Sequence, residues 1–262
     1  MSDAEVRGRF LWYELMTTDL EKAKAFYTAV VGWSVQKLEP SEMTYYMWNR
    51  GKESVGGLMD LPEEARRMGA PPNWLAYVGT PDVDKTVDQA NRLGGKTVVP
   101  PTDIPKVGRF AVLSDPQGAV FAVFTPAGSP DPGGPPAVGN FSWHELLTTD
   151  HVAAFDFYKA LFGWEKTDSM DMGPMGIYQM YGRQGHTLGG MFNKPKEMPA
   201  PPHWLLYVRV DDVNAAAGEV KKSSGKVING PMEVPGGDLI VQCLDPSGAV
   251  FALHQRKSAA AH

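Results

Sequence analysis

From Phe10 to Thr17 the side chains alternate: Phe10, Trp12, Glu14 and Met16 fall on one face, Leu11, Tyr13 and Leu15 on the other, the period of a β-strand. Thr18 or Asp19 then caps a helix whose residues Leu20, Ala23, Phe26, Tyr27, Val30 and Val31 form one apolar stripe, and Gly32 ends it. Three short strand-like runs follow, at 33–37, 44–49 and 54–59. The same order then returns. NWLAYVGT, beginning at Asn73, reads as a strand, and Asp82 caps a helix with Val83, Val87, Ala90 and Leu93 inward. Strand-like runs at 96–99, 110–113 and 119–124 complete it, the last two joined by the turn sequence DPQG, Asp115 to Gly118.

This whole pattern is written twice. FLWYELMTTD at 10–19 recurs as FSWHELLTTD at 141–150, and AFYTAVVGW, ending at Trp33, as DFYKALFGW, ending at Trp164. Gly56-Gly57 matches Gly189-Gly190, PPNWLAYV matches PPHWLLYV, and SDPQGAVFAVF matches LDPSGAVFALH. Between the copies the chain is dense in proline and glycine, the composition of a linker. The expected organisation is an α+β protein of four βαβββ units: a first domain at 8–125, a linker at 126–139, a second domain at 140–256 and a tail at 257–262.

Composition narrows the classes. Of 262 residues 43% are hydrophobic and 21% charged, ordinary for a globular chain, and the net charge of -5 gives no field to attract nucleic acid. No stretch has the apolar length of a membrane span and the first residues lack the apolar core of a signal peptide, so the expected setting is the cytoplasm. The single cysteine, Cys243, excludes a disulfide framework and reads as a small buried hydrophobe. No G-x-S-x-G elbow, phosphate-binding loop or dinucleotide fingerprint occurs.

The repeated βαβββ order, the FY…GW helix end, the Gly-Gly strand and the DP-x-G hairpin together resemble the vicinal oxygen chelate superfamily of glyoxalases, bleomycin- and fosfomycin-resistance proteins and extradiol dioxygenases, within it a tandem glyoxalase- or hydroxylase-like subgroup. The resemblance covers both copies and implies paired units curling around an open cavity, which metal-dependent members line with imidazoles and carboxylates. It places the first metal ligand at Trp12 and Trp143, and indole has no lone pair to offer. The last ligand position falls on Ala122 and Ala252, and the fourth-strand glutamate of glyoxalases is replaced by the Gly-Gly pairs. The fifth-strand position holds Asn73 in one copy and His203 in the other.

No cofactor is therefore expected. The cavities that the resemblance implies should pair Trp12 with Glu14 and Trp143 with Glu145, an indole wall beside a carboxylate, with Asn73, Trp74, His203 and Trp204 as further ligand contacts. The leading expectation is a binder of a small aromatic or cationic molecule. An alternative is an enzyme of glyoxalase, isomerase or hydroxylase type, with Glu14 or Glu145 as a general base raised by burial, or with a divalent transition metal held in one cavity by a register-shifted set of His203, His254 and Glu14 or Glu145. A third reading has filled cavities and a structural role. His144 is expected to pack on the opposite face, and His151 and His186 to lie in cap or loop segments. Which units pair is open: Trp12 can face Asn73 or His203. The tandem chain can form an internal pseudo-dimer, as a monomer or weak homodimer, with no nucleic-acid or membrane partner.

Overall fold

The computed structural model describes residues 6–39, 44–130 and 134–257. The proposed tail from 258 onward and part of the linker, 131–133, lie outside the described residues. In the first copy the elements are β1 (Phe10–Thr17), α1 (Leu20–Val31), β2 (Ser34–Lys37), β3 (Tyr45–Arg50), β4 (Glu53–Asp60), a short α2 (Glu63–Arg67), β5 (Asn73–Gly79), α3 (Val83–Arg92), β6 (Lys96–Ile104), β7 (Gly108–Ser114) and β8 (Val120–Pro126). The second copy repeats them as β9 (Phe141–Thr148), α4 (His151–Phe162), β10 (Glu165–Asp171), β11 (Ile177–Arg183), β12 (His186–Asn193), β13 (His203–Arg209), α5 (Val213–Lys222), β14 (Lys226–Glu233), β15 (Leu239–Leu244) and β16 (Val250–Gln255). Among the described residues α2 and a 3-10 turn at Gly173–Met175 have no counterpart in the sequence pattern; neither buries a residue, so no periodic stripe marks them.

The helix ends follow their chemistry. Asp19 accepts the Lys22 N–H at 3.0 Å and Asp150 those of Val152 and Ala153, while Gly32 and Gly163 close the helices at positive φ, 81° and 69°, where a Cβ would be strained. Each copy builds an eight-stranded mixed sheet, in the orders β2-β3-β4-β1-β5-β8-β7-β6 and β10-β11-β12-β9-β13-β16-β15-β14. The first and last strands of a βαβββ unit lie side by side and parallel, as in β1 with β4 and β5 with β8.

By compactness the chain groups differently from its sequence order. One unit joins the segments 75–134 and 143–204, with the first twelve residues; the other joins 13–74 and 205–262, with 135–142. Each unit thus combines half of one copy with half of the other, and the repeated motifs are what fasten them. In the second unit Tyr27 of α1 donates to Asp245 Oδ2 of the DPSG turn at 3.3 Å and accepts the Trp74 indole N–H at 2.8 Å, while Trp33 donates to the Gly139 carbonyl at 2.8 Å. In the first, Tyr158 of α4 donates to Asp115 Oδ2 at 3.1 Å and accepts from Trp204, and Trp164 donates to the Gly8 carbonyl at 2.8 Å. Both aspartates also hold their own turns through backbone N–H groups, and burial raises their pKa. Tyr27→Phe or Tyr158→Phe leaves an indole N–H and a carboxyl oxygen unsatisfied at a buried site, so each is expected to lose about 2–4 kcal/mol of stability in urea unfolding.

Candidate functional site

In both copies the register sets a glutamate opposite the second glycine of the Gly-Gly pair: Glu14 faces Gly57 and Glu145 faces Gly190. A tyrosine from the neighbouring strand, Tyr45 of β3 or Tyr178 of β11, lies across that glycine. A Cβ at Gly57 would run into Tyr45 Oη and Glu14 Oε1, and one at Gly190 into the Tyr178 ring. The first glycine answers a second demand: a Cβ on Gly56 would stand 2.7 Å from the Tyr13 carbonyl oxygen, and one on Gly189 would strike that of His144. The glycines are therefore what lets a tyrosine reach the glutamate. Neither tyrosine is singled out by the sequence reading; the signal was their matched place, at 45 before Gly57 and 178 before Gly190.

In both copies the tyrosine donates to the glutamate. In the second copy the Trp143 indole N–H donates to Tyr178 Oη at 2.8 Å, and Tyr178 donates to Glu145 Oε2 at 2.8 Å, with Glu145 buried. In the first copy Tyr45 donates to Glu14 Oε2 at 3.1 Å, while Glu14 Oε1 is buried without a hydrogen-bond partner among the described residues. Glu14 is only 5% exposed, and burial pushes its carboxyl up to about 8, the Tyr45 bond pulling back only part of the rise. At neutral pH it is mostly a carboxylic acid, a hydrogen-bond donor rather than a negative charge.

The other expected contacts take varied places. Trp12 and Trp143 are half-buried on β1 and β9. Asn73 and His203 start β5 and β13 in the same way, each bonding back to the carbonyl two residues earlier, Pro71 or Pro201, at 2.8 Å; burial lowers the His203 pKa. Trp74 and Trp204 correct the expectation. They are core residues, 6% exposed, with their indole N–H groups spent on Tyr27 and Tyr158, because alternation along the strand turns them to the face opposite Asn73 and His203. His254 bonds Ser142 and Asp238. Ala122 and Ala252 are fully buried opposite Tyr77 and Tyr207.

Among the described residues no three of His, Cys, Asp and Glu gather as a metal site. His144 stacks flat on Phe10, centroids 3.6 Å apart, bonds the Leu188 carbonyl and is pushed down to about 4 by burial, a packed residue as expected. His151 opens α4 and bonds Asn193, and His186 is the exposed first residue of β12. Cys243 is buried and its thiol is raised to about 12 by burial, so it stays protonated. Two grooves of about 430 and 350 Å3 sit at matched places beside α3 and α5; neither is lined by the glutamate–tyrosine pairs.

The sequence profile of the Glyoxalase/Bleomycin resistance protein/Dioxygenase superfamily matches residues 9–123 and 140–253. The chain belongs to this superfamily. Among its relatives, a "Putative glyoxylase CFP32" of Mycobacterium tuberculosis is 31% identical over 245 residues, 92% of each chain. The "Anthracycline biosynthesis protein DnrV" of Streptomyces peucetius is 29% identical over 261 residues, covering 94% of this chain and 92% of that one. Solved structures with the superfamily fold include the Mn(II)-bound glyoxalase from Novosphingobium aromaticivorans, at 17% identity and a TM-score of 0.62 over 97% of this chain and 83% of that one. The 2,3-dioxygenase LapB from Pseudomonas sp. KL28 superposes with a TM-score of 0.64 at 13% identity, over 97% and 93%. Among the described residues no helix is long and apolar enough to cross a membrane.

Proposed function

We propose that the protein binds a small, flat aromatic molecule through a hydrogen bond donated by Glu14, and that it does so without a resident metal. The observation that carries this reading is the buried Glu14 Oε1 with no partner among the described residues: an unpaired buried carboxyl oxygen is costly, and a ligand acceptor placed against it removes the penalty. Because the carboxyl is raised to about 8, it favours a carbonyl or quinone oxygen over the cation that a carboxylate would attract. The relative named for anthracycline biosynthesis supports an aromatic ligand. The positions where the superfamily holds its metal do not fit one here: three carry indole, methyl and glycine, the glycines overlaid by tyrosine, and the fourth offers only Asn73 or a single imidazole, His203.

Anthraquinone-2-carboxylate is expected to quench tryptophan fluorescence saturably at pH 7, while benzamidinium leaves it unchanged. Glu14→Leu should abolish the quenching and Glu14→Gln, still an N–H donor, should retain it. Quenching equal in the parent and Glu14→Leu would remove the assignment. A second use of the same carboxyl is proton transfer, favoured by a pKa near the working pH. In that case Glu14→Gln retains binding but loses turnover.

A further inference from the structure

His254 of β16 stands between two polar side chains brought together by the fold. Its Nδ1 is 2.9 Å from Ser142 Oγ on β9, and its Nε2 is 2.8 Å from Asp238 Oδ2, in the turn before β15. The other Asp238 oxygen, Oδ1, accepts the Lys257 N–H at 2.8 Å, which fixes the carboxylate. Asp238 accepts from Nε2, so in the neutral imidazole Nε2 carries the hydrogen and the Nδ1 lone pair faces the serine hydroxyl. Ser142 has one other acceptor within reach, the Tyr207 carbonyl at 3.4 Å, so the imidazole is its shorter contact. Burial pushes Asp238 up, but the bonds from Lys257 and His254 outweigh it and hold the carboxyl below its ordinary range.

From this geometry we infer that Ser142, His254 and Asp238 form a nucleophilic serine site in the second copy, with an activated carboxylic ester as its substrate class. Hydroxyl, base and base-orienting carboxylate stand in the order such a nucleophile requires. His254 is only 8% exposed, whereas Ser142 and Asp238 are partly open to solvent. On the same sheet face, one strand step from His254, Gln242 donates to the Tyr207 hydroxyl at 3.3 Å and accepts from Asn229, a row of polar groups for a substrate to meet. The first copy carries none of this. Its matching residues are Leu11, Phe124 and Gly108, and a Cβ at Gly108 would stand 2.6 Å from the Phe124 ring. The polar set is thus a feature of one copy, not a demand of the fold.

In the reaction Ser142 Oγ bonds to the ester carbonyl carbon as its proton passes to His254 Nδ1. The bond from that carbon to the alkoxy oxygen breaks, the leaving oxygen takes the proton as the alcohol, and the acyl group stays on Ser142. A water, deprotonated by the same nitrogen, then attacks the acyl carbon, releasing the carboxylic acid and restoring the serine hydroxyl.

A fluorophosphonate probe tests the site on the full chain, with the modified residue located by peptide mass spectrometry. The expected result is one label per chain, on Ser142, and a burst of nitrophenol from p-nitrophenyl acetate close to one equivalent. Ser142→Ala should abolish both, and His254→Ala or Asp238→Asn should slow labelling at least about tenfold at unchanged near-ultraviolet circular dichroism. Parent protein unlabelled at Ser142, under conditions that label a known serine esterase, overturns the inference whether or not the variants fold. So does labelling as fast in His254→Ala as in the parent, the result expected of a merely structural hydrogen-bond network.

Discussion

Glu14→Gln is expected to be more stable than the parent protein at alkaline pH, and by an amount that grows with pH. The folded carboxyl holds its proton up to about 8, whereas in the unfolded chain it releases it at its ordinary value of 4.5. Between those values the folded state binds more protons than the unfolded state, so stability is fully present below 4.5 and falls as pH rises towards 8. Each pH unit in that window is worth about 1.4 kcal/mol, so the parent should lose up to about 5 kcal/mol by pH 9. Glutamine has the same shape, keeps a group for Tyr45 to bond, and does not ionise. Urea unfolding at pH 5, 7 and 9 should give diverging curves, with the variant losing less stability as pH rises. Parallel curves would mean that Glu14 ionises normally, and the hydrogen-bond donor role would go with it.

The second large effect is expected at Gly57. Gly57→Ala drives a methyl group into Tyr45 Oη and Glu14 Oε1, with the Tyr45 ζ carbon 2.6 Å away, and the ring cannot turn aside without breaking its bond to the glutamate. Overpacking of this kind costs about 1–3 kcal/mol, and ligand quenching should vanish with the displaced pair. Gly128→Ala, which meets nothing within 4 Å and needs no positive φ, serves as the neutral control. The collision has a signature: in a double-mutant cycle Tyr45→Ala should recover the part of the Gly57→Ala loss that comes from the tyrosine, leaving the part set by Glu14 Oε1. Strict additivity would show that the glycine serves the strand rather than the pair.

Both effects originate in residues whose meaning differed in clarity along the chain. Glu14 and Glu145 were legible because alternation on β1 and β9 put a carboxylate among apolar neighbours, and a buried carboxylate asks for a reason. Gly56-Gly57 was visible as a repeated oddity where glyoxalases carry a ligand, but its reason was not, because the object it accommodates arrives from another strand. Trp74 and Trp204 show the converse. Their type suggested an aromatic wall, yet their strand parity, available from the sequence, had already turned them away from Asn73 and His203. His254 was singled out as a metal donor by type; its actual neighbours, Ser142 and Asp238, carried no signal, since a nucleophile on a strand lacks the local elbow motif that marks one at a strand–helix turn.

The sequence by itself determined the four βαβββ units, where their helices begin, at Thr18 or Asp19 in the first copy, where the first helix stops, at Gly32, and the face each strand residue takes. These are local matters, settled by periodicity and by the few residues around each helix end. Only the tertiary structure decided that Tyr27 meets Asp245 across 218 residues and that Tyr158 meets Asp115, so that each compact unit draws on both copies. It also decided that Tyr45 pairs with one oxygen of Glu14 and leaves the other without a partner among the described residues. Two copies of one pattern, with the same tyrosine on the helix and the same aspartate in the hairpin turn, offer each such contact two equivalent partners, one within the copy and one across. Choosing between them depends on how whole sheets and helices pack, which no window of sequence contains.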